Sequence, residues 1–280
     1  MVEMDMTYVV YAVMSLGGVG LLMGLGLGLA SKKFAVEEDP RLGAVIDALP
    51  GANCGGCGVA GCAAFAKAVL SGEAKPNGCP VGGAECVTKI SEILGIEAKI
   101  TEKMCAFVRC GGESSFSRNN YEYYGLLDCS AAAQLAGGSC KACVYACLGG
   151  GSCVRACKFG AMNIVDGVAV VDKAKCTACT MCVLSCPKSL IELIPHKAEV
   201  TVTCSSNDAG KAVRANCSVG CIGCKLCERA CAFDAIHVTN NIAKIDYATC
   251  TNCNECVKKC PTGSIISQTC ESPKNPRSIN

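Results

Sequence analysis

The chain has 280 residues, and 28 of them are cysteine. Lys and Arg number 26 against 24 Asp and Glu, a formal charge of +2, which leaves no basic surplus of the kind nucleic-acid binding requires. With no Trp, six Phe and seven Tyr, large core side chains are scarce, so metal binding must supply part of the folding free energy. The cysteines stand in runs two or three residues apart. Neighbours that close do not meet the Cα separation a disulfide needs, so metal ligation in a reducing compartment is the expected chemistry.

The first element lies between Thr7 and Ala30, TYVVYAVMSLGGVGLLMGLGLGLA, without a charge. Its 24 residues make a helix of about 36 Å, enough to cross a bilayer. Glu3 and Asp5 precede it and Lys32 and Lys33 follow, so the positive-inside rule places the rest of the chain in the cytoplasm. A cleaved signal peptide would want the opposite order of charges. Gly20, Gly24 and Gly28 fall on one face and would admit a second membrane helix; the plainer reading is the general abundance of glycine in membrane spans. The GLGLG run is no dinucleotide loop, since it lies within the span and follows no strand.

After the charged stretch AVEEDPR, a short helix is expected to end near Pro50 and a second to run from about Ala60 to Gly72. Between them, Cys54, Cys57 and Cys62 occupy a glycine-rich turn, and Cys79 follows 17 residues later. Three thiolates on such a turn plus one distant thiolate suit an iron–sulfur cubane, because glycine lets the backbone fold tightly and turn N–H groups to the sulfurs. Zinc also accepts four thiolates, though more often from two paired knuckles.

The remainder is a duplication. Adding 74 to Cys147, Cys153, Cys157, Cys176, Cys179, Cys182 or Cys186 lands each time on a cysteine: Cys221, Cys227, Cys231, Cys250, Cys253, Cys256 and Cys260. Cys143 and Cys217 also correspond, and Cys129 and Cys204 do so one residue out of register. Within each copy, a turn dipeptide (Asp166-Gly167, then Asn240-Asn241) separates two short apolar segments, the signature of a hairpin. His196 and His237 are expected to be structural, and YEYYG at Tyr121–Gly125 to pack rather than to bind.

This layout resembles the bacterial two-cluster ferredoxin, in which three cysteines of one run and the last cysteine of the other hold each cluster. The resemblance implies one cluster on Cys221, Cys224, Cys227 and Cys260, and another on Cys250, Cys253, Cys256 and Cys231. In the first copy it implies Cys176, Cys179, Cys182 and Cys157 for one cluster. The other has Cys147, Cys153 and Cys186, but Gly150 stands where the second copy has Cys224. Cys143 is the expected substitute there; otherwise that cluster has three irons, or Cys143 belongs elsewhere, its partner by repeat being Cys217. Cys105, Cys110, Cys129, Cys140, Cys204 and Cys217 either hold a further cluster or pack as small hydrophobes. Cys86 and Cys270 have no expected role.

Over nearly the whole chain the order of motifs resembles the B subunit of the Rnf complex, the ion-translocating oxidoreductase. The residues that carry this are the N-terminal span, DPRLGAVIDALPGANCGGCGVAGC…CPVGG, CAFVRCGG, CLGGGSCVRAC and GCIGCKLCERAC. The resemblance implies a subunit that takes electrons from soluble ferredoxin and relays them to partner subunits through at least five [4Fe–4S] clusters. Nicotinamide chemistry and ion movement would lie in other chains. With about −2 per cluster, five would bring the loaded chain to roughly −8. The expected architecture is α+β: a transmembrane anchor at 1–33 and a small helical [4Fe–4S] domain at 34–100. A linker with the first ferredoxin-like module follows at 101–195, the second module at 196–270, and a disordered tail at 271–280.

Overall fold

A computed structural model describes residues 6–33, 39–97, 102–125, 128–134, 138 and 140–267. Cys270 and the expected tail lie outside the described residues. The chain divides into two compact units, Met1–Leu42 and Gly43–Asn280. The first is dominated by α1 (Met6–Lys33), a helix of 28 residues that is long and apolar enough to cross a membrane and carries Lys32 and Lys33 in its last turn. Basic side chains there complement the partial negative charge of a helix C-terminus.

The second unit begins with a small helical part: α2 (Leu42–Ala48), α3 (Cys62–Leu70) and α4 (Gly83–Leu94). Their inward faces bury Val45, Phe65, Ala66, Val69, Val87 and Ile90. In α4 the buried positions Cys86, Val87 and Ile90 recur at helical spacing. Gly95, in the left-handed region at φ 68°, ends that helix. The Phe65 ring packs on Gly78, where an added Cβ would stand 3.1 Å from the ring.

The duplicated part follows. Its first copy contains β1 (Met104–Val108), α5 (Cys129–Ala133), α6 (Ser152–Ala156), β2 (Met162–Val165), β3 (Val168–Val171), α7 (Met181–Leu184) and β4 (Ile191–Pro195). Its second copy contains β5 (Val200–Val202), α8 (Gly210–Asn216), α9 (Leu226–Ala230), β6 (Ile236–Thr239), β7 (Ile242–Ile245), α10 (Glu255–Lys259) and β8 (Ile265–Ser267). All sheets are antiparallel pairs: β1 with β4, β2 with β3, β5 with β8, and β6 with β7. The central hairpins turn at Asp166-Gly167 and Asn240-Asn241. All four turn residues have positive φ, the geometry a two-residue hairpin turn demands.

Strand register aligns the copies more closely than sequence spacing does. Ile191 and Ile265 stand 74 residues apart, and they pair with Val108 and Val202, which stand 94 apart. The first copy therefore holds twenty more residues than the second between its opening strand and its first cysteine run. That insertion includes α5. Each copy has its own core: Phe107, Val168, Ile191 and Ile194 in the first, Val200, Ile236, Ile242 and Ile265 in the second. Cysteines form part of both cores.

Phe65 is 1% exposed, and its ring packs on Gly78, next to Cys79. Phe65→Ala should lower stability by about 3–5 kcal/mol, whereas Leu184→Ala, at a side chain 78% exposed, should stay within about 0.5 kcal/mol. Guanidinium unfolding of both anaerobic variants, followed by circular dichroism, measures the difference.

Candidate metal centres

The four cysteine runs of the duplicated part share one backbone curl. In Cys176–Cys182, Ala178 and Thr180 have φ 56° and 66°. In Cys250–Cys256, Asn252 and Asn254 have φ 56° and 63°. The equivalent residues are Gly223 (65°) and Lys225 (59°) in Cys221–Cys227, and Gly149 (71°) and Gly151 (72°) in Cys147–Cys153. Each pair flanks the middle position of its run. A left-handed residue without glycine's freedom costs on the order of 1 kcal/mol or more, and it persists only where the surroundings impose it. The curl turns successive side chains inward and leaves backbone N–H groups facing the same concavity.

The thiols gather accordingly. Cys221, Cys224, Cys227 and Cys260 surround about 280 Å³ of unfilled space, part of it open to solvent. Cys231, Cys250, Cys253 and Cys256 surround about 340 Å³. In the first copy, Cys157, Cys176 and Cys179 all lie close enough to Cys182 to oppose its ionisation. In the helical part, Cys57 and Cys62 do the same to Cys79, while the Gly56 N–H lies 3.5 Å from the Cys54 sulfur. The turn is shaped by Gly55, Gly58 and Gly61 at positive φ, and by Asn53, whose Oδ1 accepts from the Cys62 N–H at 2.8 Å. Among the described residues, no three His, Cys, Asp or Glu side chains converge as ligands of one ion. A tetrahedral zinc–thiolate site would hold its sulfurs about 3.8 Å apart. These thiols line unfilled spaces that are partly open to solvent.

Beside the run that lacks a middle cysteine stands a cysteine from elsewhere in the chain. Cys147, Cys153 and Cys186 line a space of about 340 Å³ together with Cys129. Cys143, the substitute expected from sequence, lines a different cavity with Cys110, Cys204 and Cys217. The physical reason is visible at Gly150: a Cβ added there would meet the Cys129 sulfur at 3.2 Å and the Cys129 nitrogen at 3.0 Å. Cys129 thus fills the ground that a cysteine at 150 would occupy. Asp128 fixes it. The Asp128 carboxylate accepts from the Ser130 and Ala131 N–H groups, the Ser152 hydroxyl and the Arg155 guanidinium, and the Ser152 hydroxyl accepts from the Cys129 N–H. Hydrogen bonds from the Ala131 N–H and the Ser152 hydroxyl, then from Arg155 and Ser130, hold the Asp128 carboxyl below its ordinary pKa.

Burial and mutual repulsion make these thiols reluctant to ionise without a cation. Burial, then neighbouring thiolates, push Cys153 up to about 12 and Cys182 and Cys256 up to about 11. Burial likewise raises Cys227 to about 12. Several sulfurs accept backbone N–H groups, among them Cys157 from Ala161 and Cys231 from Ala235, each at 3.3 Å. At Cys260 burial alone would raise the pKa, but hydrogen bonds from Ser264, the Ile265 and Thr262 amides and the Thr262 hydroxyl bring it below the ordinary thiol value. A donor set of grouped, buried thiols with amide contacts fits iron–sulfur clusters, whose cations displace the protons on binding.

Two described cysteines stand apart from these groups, and a third, Cys86, lies beside the Cys79 thiol. Cys105 is fully buried in the first core, and Cys140 lies in the inserted segment beside the Lys141–Asn119 bridge. Cys86 is buried against Gly82, and burial and then Cys79 raise its pKa to about 11. The helical part and the first copy touch closely at Gly56, where an added Cβ would stand 2.7 Å from the Cys179 carbonyl oxygen.

Comparison with known proteins places iron–sulfur families on the helical part and on the second copy. The family described as "Putative Fe-S cluster" matches residues 49–81, and the "4Fe-4S dicluster domain" family matches residues 220–264. The chain is 49% identical over 251 residues to the B subunit of the Na(+)-translocating ferredoxin:NAD(+) oxidoreductase complex of Acetobacterium woodii, covering 89% of this chain and 75% of that one. It is 45% identical to the B subunit of the ion-translocating oxidoreductase complex of Methanosarcina acetivorans, over 89% of this chain and 95% of the relative. It is 44% identical to the B subunit of the proton-translocating ferredoxin:NAD(+) oxidoreductase complex of Clostridium ljungdahlii, over 88% of each. With such identity across nearly its full length, the chain belongs to the B-subunit family of the ion-translocating oxidoreductase (Rnf) complexes.

Proposed function

We propose that this chain relays electrons from reduced ferredoxin to partner subunits of a membrane-bound ferredoxin:NAD oxidoreductase that moves ions. The observation that carries this reading is the grouping of thiols in fours, some buried and most half-buried, with one group brought against the next by a backbone contact such as Gly56 on Cys179. The ligand sets are Cys54, Cys57, Cys62 and Cys79; Cys157, Cys176, Cys179 and Cys182; Cys129, Cys147, Cys153 and Cys186; Cys221, Cys224, Cys227 and Cys260; and Cys231, Cys250, Cys253 and Cys256. A [4Fe–4S] cluster supplies reversible one-electron redox chemistry at each. The thiols hold the positions, the amides that face them favour the more negative state, and the apolar cores limit access of water.

Each ferredoxin oxidised gives up one electron; two electrons and a proton convert NAD to NADH in another chain of the complex. The duplicated part forms two tandem two-cluster modules, and α1 anchors them with Lys32 and Lys33 on the cytoplasmic side. The relatives' names include a sodium and a proton translocator, so the coupling ion is a property of the whole complex rather than of this shared component.

Anaerobic full-length protein should be brown, absorb near about 400 nm, bleach with dithionite and release sulfide in acid. Colourless protein with stoichiometric zinc would refute the reading. Cys256→Ala should remove one cluster's electron paramagnetic resonance signal and block transfer through the last module; unchanged iron content would count against that ligand set.

Cys129→Ala should cost about four irons, or leave a three-iron centre, whereas Cys105→Ala should leave the iron count as it was. Equal iron in both variants would place the fourth ligand elsewhere. Gly56→Ala should force the two segments apart, because its Cβ would stand 2.7 Å from the Cys179 carbonyl oxygen and backbone must move to admit it. It should slow passage of electrons between the first centre and its neighbour in stopped-flow reduction, and an unaltered rate would disconnect the two.

A further inference from the structure

The four thiols of Cys110, Cys143, Cys204 and Cys217 lie outside both matched families and outside the five sets assigned above. They line one space of about 440 Å³, part of it open to solvent. Gly112 sits between two of them, its added Cβ falling 3.5 Å from the Cys217 sulfur and 3.7 Å from that of Cys110. Glycines 111, 112 and 220 and Ser205 and Ser206 complete much of the wall. Like-charge repulsion from Cys110, Cys204 and Cys217 reaches Cys143, so the four are near neighbours in space.

Strand register gives the group a symmetry. The offset of 94 that relates β1 to β5 carries Cys110 onto Cys204, and the offset of 74 that relates the cysteine runs carries Cys143 onto Cys217. Each copy therefore contributes the same two thiols. The surroundings repeat as well: the Cys147 N–H donates to the Cys110 sulfur at 3.3 Å, and the Cys221 N–H donates to the Cys204 sulfur. Cys147 and Cys221 are equivalent ligands of the two adjacent sets. The seam is held by backbone and side-chain bonds across the copies. Gly111 N–H donates to Thr203 O at 2.8 Å, Arg118 N–H to Asn216 O at 2.9 Å, and the Ser205 hydroxyl to Tyr145 O at 3.2 Å.

We propose that Cys110, Cys143, Cys204 and Cys217 bind a sixth [4Fe–4S] cluster at the seam between the two copies, joining the cluster set of Cys147 to that of Cys221. Each copy alone offers only two ligands, so the site exists only when both are folded and docked. A single electron received from one neighbouring cluster is passed to the other, the first being oxidised and the second reduced, with no net change at the seam. Lys141, 5% exposed, donates to the Gly112 and Gly167 carbonyls and favours the neighbouring Cys147 thiolate, adding a buried positive charge beside the seam.

This inference rests on the five-cluster reading, and iron counting separates the two. Anaerobically reconstituted full-length protein should hold about 24 iron and 24 sulfide, and Cys217→Ser about 20 of each, with the loss seen again in Cys110→Ser. The Cys105→Ser control should remain at about 24. About 20 in the unaltered protein, with no loss in Cys217→Ser, overturns the seam cluster and leaves the five intact. About 24 in both assigns the sixth cluster to other ligands and overturns this ligand set. Far fewer than about 20 irons in the unaltered protein sinks both readings. If Cys217→Ser does not accumulate as folded protein, the unaltered chain still decides: about 24 irons and protection of Cys110 and Cys217 from alkylation until the iron is chelated support the site, whereas alkylation of either in iron-loaded protein overturns it.

Discussion

Uncompensated charge among buried sulfurs is the constraint on which the rest of this structure depends. Thiols brought together and partly withdrawn from water resist ionisation, and the pKa values of Cys153, Cys182, Cys227 and Cys256 are raised accordingly. The backbone around them is also strained, with left-handed Ala178, Thr180, Lys225, Asn252 and Asn254 in tight loops. Neither cost is met by the modest aliphatic cores alone. A bound polynuclear cation offsets both at once, since it replaces the protons and rewards the curl that points the sulfurs inward. Fold and cofactor are in that sense a single equilibrium.

The same constraint explains how the first copy tolerates Gly150. A cluster does not require that its ligand come from a particular position in the chain, only that a sulfur reach a particular place. The insertion that carries Cys129 brings one there, and Asp128, Ser152 and Arg155 tie it to the start of α6. Glycine at 150 is then needed for room, since a side chain would collide with the incoming strand of chain. Glycine at 150 and cysteine at 129 thus divide one space between them.

Much of this is legible in the sequence. The hairpins follow from Asp166-Gly167 and Asn240-Asn241, and the 74-residue repeat locates seven cysteine pairs. The apolar N-terminal helix is equally plain. What sequence spacing misses is non-local. β1 and β5 pair with β4 and β8 across most of a copy, so nothing near Met104 or Val200 announces them. For the same reason spacing matches Cys204 with Cys129, which stands nearly 74 residues away, and not with Cys110, its partner by register. The helix α4 has a readable signal, because Cys86, Val87 and Ile90 keep helical spacing ahead of Gly95. No sequence signal nominates Cys129 for the Gly150 position, because proximity there arises from the fold of an insertion.

The pairing of each copy's opening strand with its closing strand has an evolutionary consequence. Chain enters and leaves a copy at the same edge, so another copy can be spliced in without redrawing the interior of either neighbour. Lengthening such a conductor is then a matter of gene duplication, and the number of beads on the string can drift between lineages while the design of a single bead stays constant.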